Sequence, residues 1–136
     1  MNGKSSELQP GLRGRCEMTV ADADTAVSMG SGRMPVLATP AMVAWLEAAA
    51  QKAVDAALPP GHQTAGTRLD IQHHGATPVG MRVTAMAELV SVAGRNLRFN
   101  VTVHDEKELI GEGVHERVLF SVASFERLLR QKMRRE

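Results

Sequence analysis

The sequence predicts an α+β domain in which a long apolar helix is wrapped by a curved antiparallel sheet and a further helix follows at the C-terminal end. Three observations carry this. Residues 40–46 contain no polar side chain, and a helix that is apolar all round is a buried one. After Gly61 the hydrophobic period changes from 3.6 to 2 and stays there over four successive segments. From Ala123 the helical period returns. One helix, then a run of strands, then a helix is the order of a two-layer α+β domain.

The elements follow in order. Residues 1–12 are polar, with Gly and Pro, and read as a flexible arm; residues 13–136 read as one domain. Residues 14–20 form a short strand. Residues 21–32 (ADADTAVSMGSG) read as a mobile connection holding at most one helical turn. Thr39 is a suitable N-cap and Pro40 suits the first helical position, where a missing N–H does no harm. The helix then runs over residues 41–58 and stops at Pro59-Pro60-Gly61.

In the first strand of the meander, Thr67, Leu69, Ile71 and His73 share one face, and Arg68, Asp70, Gln72 and His74 the other. Thr77-Pro78-Val79-Gly80 is a turn. Met81, Val83, Ala85, Ala87 and Leu89 then alternate with polar residues, as do Leu97, Phe99, Val101 and Val103 after a turn at Gly94. A last strand over residues 109–122 places Val114, Val118, Phe120 and Val122 in phase. Short turns between half-buried strands make an antiparallel meander. A single curved sheet cannot enclose so apolar a helix, so a second copy of the chain is expected to bury the remaining apolar and edge surface.

Composition excludes several function classes. The 136 residues suit one domain. Sixteen Lys and Arg against fifteen Asp and Glu leave a net charge of +1, too weak a field to hold nucleic acid or an anionic membrane. With no Tyr, one Trp and three Phe, an aromatic platform for single-stranded nucleic acid is absent. Cys16 is the only cysteine, so there is no intramolecular disulfide and no cysteine metal site. Residues 1–10 (MNGKSSELQP) lack the apolar run of a signal peptide, and the apolar stretch 34–50 is interrupted by Pro35, Thr39, Pro40 and Glu47. A cytoplasmic protein is the default reading.

Four features bear on chemistry. The helix start at Ala38-Thr39-Pro40 offers free N–H groups and a partial positive charge to a developing oxyanion, with the Thr39 hydroxyl beside them; alternatively Thr39 is only the cap. Glu47, on the third turn of the apolar helix, is either a paired buried carboxylate or the head of a wet stripe with Gln51 and Asp55. Among the five histidines, His62 falls in a loop, and His74, His104 and His115 fall on the polar phase of their strands. Only His73 shares a phase with Leu69 and Ile71, so it either fills the core or looks toward Thr39 and Glu47. Two glycines in the segment Gly111-Glu112-Gly113-Val114-His115-Glu116-Arg117 mark a bulge or a close backbone approach to a ligand. No spacing suggests a metal site: His73 and His74 point to opposite sides of a strand. The basic face of Arg127, Arg130, Lys132, Arg134 and Arg135 reads as solvated.

Together, Val36-Leu37-Ala38-Thr39-Pro40-Ala41-Met42-Val43 with Glu47, His73 with Ala76-Thr77-Pro78-Val79-Gly80, and the segment from Gly111 to Arg117 resemble the hot-dog-fold thioesterases, most of all the fluoroacetyl-CoA thioesterase group. The resemblance spans residues 16–132, with the three motifs in order and spacing. It implies a helix wrapped by an antiparallel sheet, a homodimer with active sites at the subunit interface, and hydrolysis of an acyl-CoA thioester. The family's catalytic hydroxyl, carboxylate and imidazole match Thr39, Glu47 and His73. Ala38, Pro40, Gly111, Gly113, His115 and Arg117 become the substrate-binding candidates. The resemblance implies no metal and no cofactor beyond the CoA of the substrate. Pairing into tetramers and the identity of the acyl group stay open. The short Asp and His motif of the related hydratases is missing. Two other readings stand beside the enzyme: a non-catalytic acyl-CoA-binding or regulatory module on the same fold, and a structural dimer whose basic terminal helix docks a partner.

Overall fold

The structure is a computed structural model describing residues 7–135. Strand β1 (Arg13–Thr19) leads through a 3-10 turn (Asp22–Asp24) and a single helical turn, α1 (Ala26–Met29), to the long helix α2 (Thr39–Val54), which a 3-10 turn (Asp55–Ala57) extends. Four strands follow: β2 (His62–His73), β3 (Arg82–Ala93), β4 (Asn96–Asp105) and β5 (Leu109–Ser121). Helix α3 (Val122–Met133) ends the chain. The strand order is β1-β3-β4-β5-β2, all neighbours antiparallel, so β1 and β2 form the two edges.

One face of this sheet packs on α2. Ala41, Met42, Trp45, Leu46, Ala49, Ala50, Ala53 and Val54 are its buried residues, pairs recurring every four positions. That stripe meets Val83, Ala85, Ala87 and Leu89 of β3 and Leu97, Phe99, Val101 and Val103 of β4, the inward residues that the alternation predicts. Small side chains let β1 press against the helix backbone. A Cβ on Gly14 would strike the Ala49 carbonyl and the Ala53 N–H, so only glycine fits there. The sheet does not surround α2: Ala44 is exposed, Val43, Glu47 and Ala48 are half-buried, and Gln51 is exposed.

The turns form where the sequence places them. Gly80 and Gly94 adopt φ of +95° and +62°, which L side chains rarely take. At the third turn, the Asp105 carboxylate accepts the Lys107 and Glu108 N–H groups at 2.8 and 2.9 Å.

Three details differ from the sequence reading. The N-cap of α2 is Ala38, extended at φ −76° and ψ 143°, and Thr39 is the first helical residue, its hydroxyl engaged elsewhere. Strand β2 begins at His62, five residues before the alternation becomes visible, because a bulge between Gly66 and Arg68 switches which parity faces inward. Thr64 is buried on one side of that bulge, Ile71 and His73 half-buried on the other. In β5 the buried residues include Gly111, His115 and Arg117, with Val114 and Val118 only half-buried, so His115 lies inside rather than on the polar face. Residues 1–6 of the expected arm lie outside the described residues. Leu8 and Leu12 pack against the core, and the Gly11 N–H donates to the Leu89 carbonyl at 2.9 Å.

Candidate active site

The start of α2 is held by backbone. The Leu37 N–H donates to the Thr77 carbonyl and the Ala38 N–H to the Asp24 carbonyl, both at 2.8 Å. Thr77 is itself fully buried, and its hydroxyl donates to Asp105 at 2.9 Å. With Pro40 lacking an N–H and the Met42 N–H bonded to the Ala38 carbonyl, the N–H groups of Thr39 and Ala41 have no backbone acceptor among the described residues. They are the donors that a helix N-terminus can present to an oxyanion.

Beside them lies a hydroxyl–imidazole pair. Thr39 Oγ1 sits 2.7 Å from His73 Nδ1, at the last residue of β2. Burial pushes the His73 pKa below its ordinary 6.5, and neighbouring His74 lowers it further, against a backbone hydrogen bond at Gly75 that raises it. The ring is therefore neutral at pH 7 and can accept the Thr39 proton. With the hydroxyl donating to Nδ1, the ring proton sits on Nε2, which is buried and has no partner among the described residues. A cleft of about 230 Å³ opens on the pair, lined also by Val36, Leu37, His74 and Gly75.

Glu47 belongs to a second cluster. At 1.5 Å per residue it stands about 12 Å further along α2 than Thr39, and it makes no hydrogen bond or ion pair with His73. Its partner is Arg117, whose Nη1 lies 3.4 Å from Glu47 Oε2. The Glu47 side chain is 35% exposed and that of Arg117 only 4%. Desolvation pushes the Arg117 pKa down, and the charges of Glu47 and Asp55 oppose this; an arginine stays protonated regardless. Gly66 makes room for the pair, since a Cβ there would collide with Glu47 Oε2 and lie 3.1 Å from His115 Cε1. Glu47 is thus partly exposed, in line with the exposed Gln51 and Asp55, and at the same time paired with a buried arginine.

Several candidates for substrate contact acquire other roles. Ala38 is 1% exposed with its N–H committed, and Pro40 is exposed without an N–H. Gly111 lets β5 approach α2: a Cβ there would be 2.8 Å from Met42 Sδ. Gly113 lets β5 approach β2, where a Cβ would strike the Asp70 carbonyl. His115 is fully buried and Arg117 nearly so. Both glycines answer to backbone packing, a signal that a sequence shares with ligand approach. Sequence reasoning missed Thr64 and Gly66. The glycine inside a strand pattern was a usable bulge signal, and Thr64 offered none. Among the described residues no three His, Cys, Asp or Glu side chains gather as metal ligands.

Residues 20–123 match the family described as fluoroacetyl-CoA-specific thioesterase. The chain belongs to that family. It is 42% identical over 97 residues to the fluoroacetyl-CoA thioesterase of Streptantibioticus cattleyicolor, covering 71% of this chain and 70% of the relative. A crystal structure of a fluoroacetyl-CoA thioesterase superposes with a TM-score of 0.86 at 34% identity, covering 93% of this chain and 98% of the other. A hot-dog-like protein from Thermanaerovibrio acidaminovorans shares the fold with a TM-score of 0.89 at 20% identity, over 99% and 100% of the two chains. The hot-dog fold and the thioesterase class expected from the motifs are both borne out.

This thioesterase carries two inward histidines, His73 and His115, whose pKa values burial depresses below 6.5. As the pH falls below about 6.5 the unfolded chain takes up protons on these rings before the folded chain does. Stability therefore declines with falling pH through that window. Thermal melts should give a Tm that drops from pH 7 to pH 5, and the drop should shrink in a His73→Asn variant. For a neutral His73 acting as a base, the acid limb of kcat/KM should likewise lie below 6.5.

Proposed function

We propose that this acyl-CoA thioesterase hydrolyses its substrate to the free acid and CoA through an acyl-enzyme on Thr39, with His73 as the base. The observation that carries this is the 2.7 Å contact between Thr39 Oγ1 and His73 Nδ1 at a helix N-terminus. His73 takes the hydroxyl proton as Thr39 Oγ1 attacks the thioester carbon. The N–H groups at the start of α2 stabilise the oxyanion. The imidazolium returns the proton to the departing CoA sulfur. A water, deprotonated by the same ring, then cleaves the Thr39 ester and releases the acid.

A second reading has Glu47 activate water directly, with Thr39 and His73 positioning the thioester. The separation of Glu47 from His73 and its third-exposed side chain favour it. Mass spectrometry after rapid quench decides between them: an acyl adduct on Thr39 supports the first, and its absence during turnover supports the second. The scheme uses no cofactor beyond the CoA of the substrate. Nothing favours the non-catalytic alternative.

The active form is a homodimer in this proposal. Among the described residues the outer edge of β2 has no strand partner and His73 Nε2 no acceptor, and Leu69 of β2 is 42% exposed. Among the described residues no helix is long and apolar enough to cross a membrane, and the one cysteine is free and buried, in keeping with a cytoplasmic setting. The experiment is release of free thiol from a panel containing acetyl-, fluoroacetyl- and longer acyl-CoAs, run beside sedimentation velocity. Turnover of none of them defeats the enzyme reading, and a stable monomer at micromolar concentration defeats the dimer.

A further inference from the structure

The guanidinium of Arg117 is held by four contacts. Nε donates to Thr64 Oγ1 at 2.8 Å and Nη2 to the Thr64 carbonyl at 2.9 Å. Nη1 faces both Glu47 Oε2 at 3.4 Å and His115 Nε2 at 3.0 Å. A guanidinium cannot accept a hydrogen bond, so Nη1–H donates to His115 and His115 Nε2 must carry the lone pair. The ring proton is then on Nδ1, which donates to the Arg68 carbonyl at 2.8 Å. That carbonyl belongs to the bulge of β2, and the ring stacks on Phe99 at 6.2 Å between centroids. His115 is fully buried, so no substrate reaches it.

We propose that His115 is a positioning residue: as a neutral hydrogen-bond acceptor it fixes the Arg117 guanidinium and, through it, holds the Glu47 carboxylate in its present direction. The proposal rests on the second reading above, in which Glu47 activates water. Its physical basis is a count of donors and acceptors. Without the Nε2 lone pair, Nη1 keeps only the long contact to Glu47. With Nε and Nη2 still bound to Thr64, Nη1 is then free to shorten its contact to Glu47 and draw the carboxylate away from its present direction. Burial supports the neutral state. It lowers the His115 pKa, as does the adjacent Arg117 charge, against the Arg68 carbonyl and the charges of Glu47 and Glu116, which raise it.

The test uses three substitutions and one readout independent of activity. His115→Phe keeps the ring and its stacking while removing the acceptor. It should lower kcat by about 10²-fold with KM nearly unchanged, the size expected when a catalytic group is displaced by about an ångström. His115→Gln, which can accept from Arg117, should restore kcat to within about tenfold of the parent on that same scale. In the unmodified protein, nitrogen-15 shifts of the His115 ring should report the Nδ1–H tautomer from pH 5.5 to 8. A His115→Phe enzyme as fast as the parent, a loss confined to KM, a His115→Gln variant as slow as His115→Phe, or an Nε2–H tautomer would each overturn the proposal. Glu47→Gln run alongside separates the two layers. If it keeps full activity, the role of Glu47 in hydrolysis is lost, while the tautomer still decides whether His115 orders Arg117.

Discussion

Replacing His73 with alanine should lower kcat/KM for acyl-CoA hydrolysis by about 10²- to 10⁴-fold, the range for loss of a positioned general base. Among the described residues the hydrogen-bond partner of the Thr39 hydroxyl is His73 Nδ1, at 2.7 Å. The depressed pKa keeps that nitrogen unprotonated at pH 7. Thr39→Ala should lose activity to a similar extent, and the double variant should be little worse than either single one, because the proposed scheme uses the pair as a unit. Thr39→Ser keeps the hydroxyl and should retain most of the rate. The structural cost is small: one exposed side-chain hydrogen bond contributes about 1 kcal/mol. Free-thiol release measured on folded variants, with Tm recorded in parallel, checks this. A His73→Ala enzyme within tenfold of the parent would transfer the base role to Glu47.

Arg117→Met should have the largest effect on stability, about 3 kcal/mol or more. The side chain is 4% exposed and satisfies a buried set of acceptors: the Thr64 hydroxyl and carbonyl and His115 Nε2. Methionine fills much of the volume and none of those bonds, and each orphaned buried acceptor costs about 1–3 kcal/mol. For a domain of this size the Tm should fall by roughly 10 °C or more. Arg117→Lys should recover little, since an ammonium cannot span Thr64, His115 and Glu47 with one planar fork. Glu47→Gln offers the contrast. Its side chain is a third exposed and a neutral amide oxygen can still accept from Arg117, so stability should change by less than about 1 kcal/mol. Thermal denaturation of the three variants at pH 7.5 distinguishes these outcomes. A Tm for Arg117→Met within 2–3 °C of the parent would mean the network contributes little, as happens for some buried ion pairs.

Where the apolar alternation was strong, the sequence was readable. The inward residues of β3 and β4 are those the period selects, and Gly80 and Gly94 turn the chain where expected. His73 was picked out by parity alone, and that parity holds because the bulge of β2 lies before it. Thr39 was ambiguous, since a cap and a reactive hydroxyl occupy the same place in sequence. The structure puts the cap at Ala38 and the Thr39 hydroxyl on His73, 34 residues away.

In β5 the reading inverted. The apolar Val114 and Val118 suggested one inner face, whereas His115 and Arg117 occupy it. Polar residues can line a core only when they satisfy one another, and the partners of Arg117 lie 53 and 70 residues away at Thr64 and Glu47.

By itself, then, the sequence determined the order of elements, the apolar helix and the family. These are properties of local period and of motif. Tertiary structure decided that Thr39 and His73 meet while Glu47 turns to Arg117, and that His115 belongs to the interior. Those outcomes depend on which acceptor reaches which donor across the sheet, and one bulged residue in β2 is enough to change that pairing.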